Sequence, residues 1–152
     1  MYQGSHFHGT HKNTIDAKGR MFVPAALRKQ LEESKDGDGK VEFYVTISGE
    51  DCLMIYSKSM WDKALMRLSE MSQEEQTELR PLFAKASRCI PDEQGRIALT
   101  QELRDFAQLK KNVTLVGIGL YIQIWDSEIR KLKDEKESTK ENMQSVIRKL
   151  KF

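Results

Sequence analysis

Apolar and polar positions along the chain predict short strands, tight turns and helices in a fixed order. Residues 7–15 read as a strand, and Asn13, Asp16 and Gly19 then mark a turn. Asp16 can accept hydrogen bonds from backbone N–H groups ahead of it, and Gly19 can take the positive φ of a tight turn. A short strand follows over 20–23. Pro24 has no N–H to leave unpaired in a first helical turn, so it opens a helix over 25–31, with Leu27 and Leu31 on one face. The polar run 33–40 reads as a loop. Strands over 41–47 and 52–56 form a hairpin around Ser48-Gly49-Glu50-Asp51. Ser57 or Ser59 caps a helix over 60–71. Ser72 and Glu75 have capping-box spacing for a helical piece over 72–82, with Pro81 near its end.

The same order then returns. A strand over 83–90, a turn at Pro91–Gly95 and a short strand over 96–99 lead to Thr100, which caps a helix over 101–109. Strands over 112–116 and 120–125 form a hairpin around Gly117-Ile118-Gly119, and Asp126 or Ser127 caps the last helix. The residues repeat as well. Asp16-Ala17-Lys18-Gly19-Arg20 comes back 76 positions later as Asp92-Glu93-Gln94-Gly95-Arg96, and Met21, Val23, Leu27 and Arg28 match Ile97, Leu99, Leu103 and Arg104. In the later hairpin the offset is 69, aligning Leu53–Tyr56 with Ile122–Trp125, as a shortened 33–40 loop would produce. Two copies of one module, 1–76 and 77–152, are the expected organisation. A half of that size is marginal for burying its own core, so a fused pair or an oligomer is expected. Ile129, Leu132, Lys136, Thr139, Met143, Val146 and Leu150 form a stripe at alternating three and four spacings. Packing on the same chain, contact with a neighbouring subunit and a partly free arm are all open readings of it.

Composition narrows the class. With 39% hydrophobic and 32% charged residues the chain reads as an ordinary soluble protein. It has no apolar run long enough for a membrane span, and the N-terminus lacks a signal-peptide pattern, so a cytoplasmic location is expected. Cys52 and Cys89 sit in apolar segments and read as buried thiols, not as a disulfide or zinc framework. The net charge of +2 permits nucleic-acid binding without implying it. Its distribution says more: the first thirty residues carry Lys12, Lys18, Arg20, Arg28 and Lys29 against one acid, Asp16.

Lys18 and Arg20 leave the first turn two residues apart, on one side of an extended chain. Such a tip can reach a nucleic-acid groove, with arginine offering a fork for phosphate or for guanine and lysine a mobile charge. The structural reading is that Arg20 braces the turn through Asp16; both readings are open for the arginines. The second tip is weaker, because Glu93 and Gln94 replace Ala17 and Lys18. Lys12, Arg28, Lys29 and Arg104 are secondary candidates, and the stems of Arg28 and Arg104 can cover apolar surface. The aromatic residues, among them Phe7, Phe22, Phe43 and Trp125, read mainly as core. His6, His8 and His11 lack a ligand set around them, so no metal is expected. No P-loop, dinucleotide fingerprint, nucleophile elbow or zinc-protease segment occurs, so neither an enzyme nor a cofactor is expected.

Met1-Tyr2-Gln3-Gly4, the segment from Thr14 to Pro24 and Asp92-Glu93-Gln94-Gly95-Arg96 resemble the MraZ family of bacterial transcriptional regulators, and the likeness covers nearly the whole chain. The resemblance implies a mainly β fold with flanking helices: an internally duplicated, pseudo-symmetric swapped-hairpin (double-split) β-barrel, distantly related to AbrB-type proteins, with a long C-terminal helix. It implies closed homo-oligomeric rings that bind double-stranded DNA at short direct repeats upstream of the division and cell-wall gene cluster. It also implies repression of the protein's own operon and association with the nucleoid. The family's functional residues fall on Asp16, Arg20, Asp92 and Arg96, with Lys18 and Gly19 in the first loop. The expected DNA-binding set is therefore Lys18, Arg20, Arg96, Lys12 and Arg28, with Asp16, Gly19, Asp92 and Gly95 structuring the loops. Gln94 in place of Lys18 and Thr100 in place of Pro24 leave the second loop open to a structural or auxiliary role. The alternative is a ring-forming protein-interaction module without specific DNA binding.

Overall fold

Each half lends its first strand to the other half's hairpin. The computed structural model describes residues 7–32, 41–136 and 140–151, with residues 30–32 as backbone only. Met1–Gly4, His6, the 33–40 loop and Thr139 lie outside them. The elements run β1 (Thr10–Thr14), β2 (Arg20–Phe22), α1 (Ala25–Glu32), β3 (Phe43–Ile47), β4 (Leu53–Ser57), α2 (Lys58–Ser69) and α3 (Gln73–Ala84). They continue as β5 (Ser87–Cys89), β6 (Arg96–Ala98), α4 (Gln101–Phe106), β7 (Asn112–Gly117), β8 (Ile122–Asp126), α5 (Ser127–Asp134) and α6 (Lys140–Ile147). Six strands form one sheet in the order β1-β7-β8-β4-β3-β5, and β2 pairs with β6 in a separate ribbon.

The registers carry a local two-fold relation. Where the halves meet, Met54 stands opposite Gln123 and Met21 opposite Ile97, each pair being a position and its own counterpart in the other half. Around these centres β1 on β7 mirrors β5 on β3: Asn13 faces Val113 as Cys89 faces Phe43.

The expected barrel is not what forms. Among the described residues both sheets are open, with β1 and β5 at opposite ends of the large one, each bonded to a single neighbour. The turns at Asp16 and Asp92 are the physical reason. Each carries the chain off the sheet into a three-residue strand, and β2 and β6 then bond to each other and do not continue the ladder round. The long C-terminal helix is likewise corrected to two described helices, α5 and α6, with a 3-10 turn at Arg148–Leu150. Of the stripe predicted on that region only Ile129 is half-buried near the sheet, while Leu132, Met143, Val146 and Leu150 are exposed.

One face of the large sheet holds the core. Val45, Leu53, Ile55, Leu115, Ile122 and Ile124 pack there with Met21 and Ile97 of the ribbon and with Leu27 and Leu103 of α1 and α4. The alternation of each strand sends the other side chains to the opposite face. There Trp61 of α2 stacks on Tyr44 at 5.0 Å and meets Phe83 of α3 at 5.1 Å. The strand expected over 83–90 is therefore shortened to Ser87–Cys89, because α3 runs through Pro81 and uses Phe83 to seal Trp61.

The predicted caps form. The Ser57 hydroxyl accepts from Met60 N, Thr100 from Leu103 N and Asp126 from Ile129 N, while Ser72 and Glu75 make a reciprocal capping box. Ser57 and Asp126 are 69 positions apart, so the two hairpins launch their helices from equivalent points. Cys52 and Cys89 are buried free thiols. Burial pushes the Cys52 thiol up to about 11 and Cys89 upward as well, which keeps both protonated and unreactive. Among the described residues no helix is long and apolar enough to cross a membrane.

Candidate nucleic-acid interface

The two turns are built alike, bond for bond. The Asp16 carboxylate accepts from Lys18 N and Arg20 N, each at 2.9 Å, and from Arg20 Nε at 2.8 Å. Gly19 N donates to Asp16 O and Asp16 N to Arg20 O, closing the hairpin. Asp92 repeats every one of these bonds with Gln94, Gly95 and Arg96. Gly19 and Gly95 take φ of 78° and 80°, a region costing an L-residue about 1–2 kcal/mol. Asp16, Gly19, Asp92 and Gly95, the residues expected to structure the loops, make these bonds and take these dihedral angles.

Each turn is also held by the opposite half. Leu99 N donates to Gly19 O, and Val23 N to Gly95 O. The Arg104 guanidinium lies over Gly19, where a Cβ would come within 2.8 Å of Cζ, and Arg28 covers Gly95 in the same manner. Arg104 Nε is tied to Leu99 O at 3.1 Å. The matching Leu-Arg pairs of the sequence thus place each arginine on the other half's loop. The repeat revealed that these arginines are equivalent; it carried no signal that they are exchanged.

Charge separates the turns. Lys18 is exposed at the first tip, among the described residues with no ion-pair partner, whereas Gln94 and Glu93 occupy the second. Arg20 faces Ala98 across the ribbon, while Arg96 faces Phe22 and lies 5.9 Å from the centre of its ring. Phe22 is half exposed, so this aromatic serves as a platform for Arg96 and not as core. Beside the first turn a cleft is lined by Asp16, Ala17, Arg104, Lys110 and Lys111. The corresponding cleft beside the second turn holds Arg28 with Asp92, Glu93 and Gln94. Sequence reasoning overlooked Lys110 and Lys111; the signal available was two adjacent lysines just before a strand. Lys12 lies on edge strand β1, its Nζ 3.4 Å from Thr114 Oγ1, and Lys29 is exposed on α1. Among the described residues no group of three histidine, cysteine or carboxylate side chains is placed to hold a metal.

The Arg20 backbone N–H holds the Asp16 carboxyl below the ordinary aspartate value of 3.8, outweighing the opposing effect of desolvation, with the Arg20 guanidinium and the Lys18 N–H adding to it. Arg96 and Gln94 do the same to Asp92. A depressed folded-state value stabilises the fold above the unfolded value and loses that contribution as pH falls through the folded one. Both braces are therefore intact at neutral pH and loosen below about pH 4. NMR titration should put both carboxyl midpoints below 3.8, and a midpoint at or above it for either residue would contradict the brace.

Comparison with known proteins agrees with the duplicated turn. The family model described as "MraZ protein, putative antitoxin-like" matches residues 6–80 and 82–145. A protein named transcriptional regulator MraZ from Caldicellulosiruptor bescii is 36% identical, over 89% of this chain and 88% of its own length. The protein of the same name from Carboxydothermus hydrogenoformans is 35% identical over 81% and 82%, and that from Acetivibrio thermocellus is 32% identical over 95% and 96%. With both of its braced Asp-x-x-x-Arg turns inside the matched segments, the chain belongs to the MraZ family.

Proposed function

We propose that this protein is a sequence-specific double-stranded-DNA-binding transcriptional regulator, and not an enzyme, that reads DNA with its first loop. The observation that carries the reading is the braced Asp16–Arg20 turn, which holds Lys18 at an exposed tip and Arg20 beside it. A tip whose backbone is already fixed gives up little conformational freedom on binding, so its few contacts are retained as affinity. The names of its relatives support regulation of transcription. In this reading the halves, 1–76 and 77–152, are copies of one module. Arg20 and Lys18 make the leading contacts, Lys12 lies on the same side, and Arg28 and Arg96 form a weaker second set.

The targets are promoter-proximal direct repeats upstream of the protein's own division and cell-wall gene cluster, with repression as the outcome and the nucleoid as the place of action. One small tip per subunit is weak alone. A ring of copies would offer such tips repeatedly to one duplex, and effective concentration would multiply them. The exposed apolar residues Leu132, Met143 and Val146 support an assembly surface on the C-terminal helices.

Lys18→Ala tests the tip. A lysine acting on phosphate contributes affinity without sequence preference. The variant should bind a duplex from the DNA upstream of its own gene and a shuffled duplex more weakly by the same factor. The slope of log K against log salt should become shallower by about 1. Unchanged affinity and slope would remove the first tip from the interface.

A further inference from the structure

We infer that Lys110 and Lys111, contributed by the second half, continue the first loop's basic surface into a phosphate-binding track along the β1 edge, and that the equivalent edge at β5 has no such track. This rests on the DNA-binding reading above and extends it from the loop tip to the body of the fold.

The track is built by backbone contacts. Ile15 N donates to Lys111 O at 2.8 Å, which places Lys111 directly beside the first turn. Lys110 N donates to the Asp126 carboxylate at 3.2 Å. Both lysine side chains are exposed, and among the described residues neither has an ion-pair partner. They line both the cleft shared with Arg104 and the groove containing Lys12, where the Asp16 and Asp126 carboxylates are engaged by the Arg20 brace and by the Lys110 and Ile129 N–H groups, so a lysine-rich surface joins the tip to β1. Lys12 stands opposite Thr114, and Thr14 opposite Asn112, on the same edge. The rest of the groove is mixed in sign, with Glu50 and Glu128 on its lining and Arg130 paired to Asp134, and the track does not extend over it.

The other edge has the same backbone and different charges. Arg88 occupies the position of Lys12, opposite Tyr44, and is ion-paired to Glu42. Glu42 stands where the β1 edge has Asn112, one residue beyond the paired Phe43 and Cys89, as Asn112 is one beyond Val113 and Asn13. Val41 stands in place of Lys111 and Glu93 in place of Ala17, while Lys40, the counterpart of Lys110, lies outside the described residues. A phosphate chain laid on this edge would meet Glu93 where the β1 edge offers Ala17, and an Arg88 already neutralised by the largely buried Glu42 where the β1 edge offers Lys12. Like-charge repulsion makes the two edges unequal although the fold makes them equivalent.

The experiment compares Lys110→Gln/Lys111→Gln with Lys85→Gln/Arg88→Gln, which removes the same charge near the β5 edge, Lys85 being the C-cap residue of α3 and paired with Glu102 at 3.9 Å. The full chain is titrated with its upstream duplex and with a shuffled duplex across a salt series, and thermal unfolding is measured in parallel. The bonds that place Lys110 and Lys111 use their backbone atoms, so melting should be unchanged. The Lys110/Lys111 variant should show a slope shallower by about 2 on both duplexes, with the ratio of their affinities kept, because a phosphate contact carries no sequence information. The Lys85/Arg88 variant should keep the wild-type slope. Equal slopes for wild type and the Lys110/Lys111 variant, or equal losses in both variants, would overturn the track. A wild-type protein that binds both duplexes equally would overturn specific recognition, while the shuffled-duplex slope still decides the track.

Discussion

Arg20→Ala is expected to weaken binding to the upstream duplex about 5- to 150-fold, the equivalent of about 1–3 kcal/mol for a lost arginine contact to a base edge, and to reduce the preference over shuffled DNA. Arg20 does two things at once. Its Nε braces Asp16, and it stands opposite the small Ala98 across the ribbon, so that contact by the rest of its guanidinium is the second role proposed for it. The second turn separates these roles. Arg96 makes the same brace to Asp92 at 2.9 Å but belongs to the weaker second set of contacts, so Arg96→Ala measures the loss of a brace with only a minor contact. Both variants should melt at similar temperatures, because exposed ion pairs contribute little. Only Arg20→Ala should show the whole of the expected loss in specific binding. Arg20→Lys keeps the charge but not the fork, so it should retain binding to shuffled DNA while recovering little specificity. Equal effects of Arg20→Ala and Arg96→Ala on DNA binding would place the importance of Arg20 in the brace and not in contact.

Trp125→Ala is expected to cost about 3–5 kcal/mol of folding stability, a large part of the 5–15 kcal/mol typical of a domain. Trp125 is 1% exposed on β8 and lies on the sheet face away from the main core. Its Nε1 donates to Gln123 Oε1 at 3.0 Å, and the Arg130 guanidinium sits 4.5 Å from its ring centre. Removing it opens a cavity, strips Arg130 of its platform and leaves a buried amide oxygen without its donor. Trp125→Phe keeps most of the volume and should cost distinctly less. Urea unfolding reads both, as a lower midpoint with little change in slope. A loss below about 1 kcal/mol for Trp125→Ala would mean that the α5 layer is not part of the cooperative fold.

What was legible in the chain was local chemistry. Asp16, Gly19, Asp92 and Gly95 announced their turns because a short carboxylate and a glycine have few other uses at that spacing. Ser57, Ser72, Thr100 and Asp126 announced helix starts by the same logic. Phe83, followed by Ala84 and Ala86, suits either a strand or a helix period, and only contact with Trp61 decides for the helix. The long-range arrangement was less accessible. Closure into a barrel came from resemblance and not from any residue pattern, and the pairing of β2 with β6 leaves the large sheet open. The exchange of Arg28 and Arg104 between loops depends on where α1 and α4 land, which their helical period does not specify. Lys110 and Lys111 reach the first turn through the bond from Ile15 N to Lys111 O, a long-range pairing that no local pattern specifies.

The central claim is that a braced loop gives this protein a preference for particular DNA. Its most direct test is an equilibrium titration of the full chain with a duplex from upstream of its own gene, against a shuffled duplex of the same length and composition at the same salt concentration. The account predicts affinity for the upstream duplex at least about 10³-fold tighter. Equal affinity for the two duplexes would contradict it.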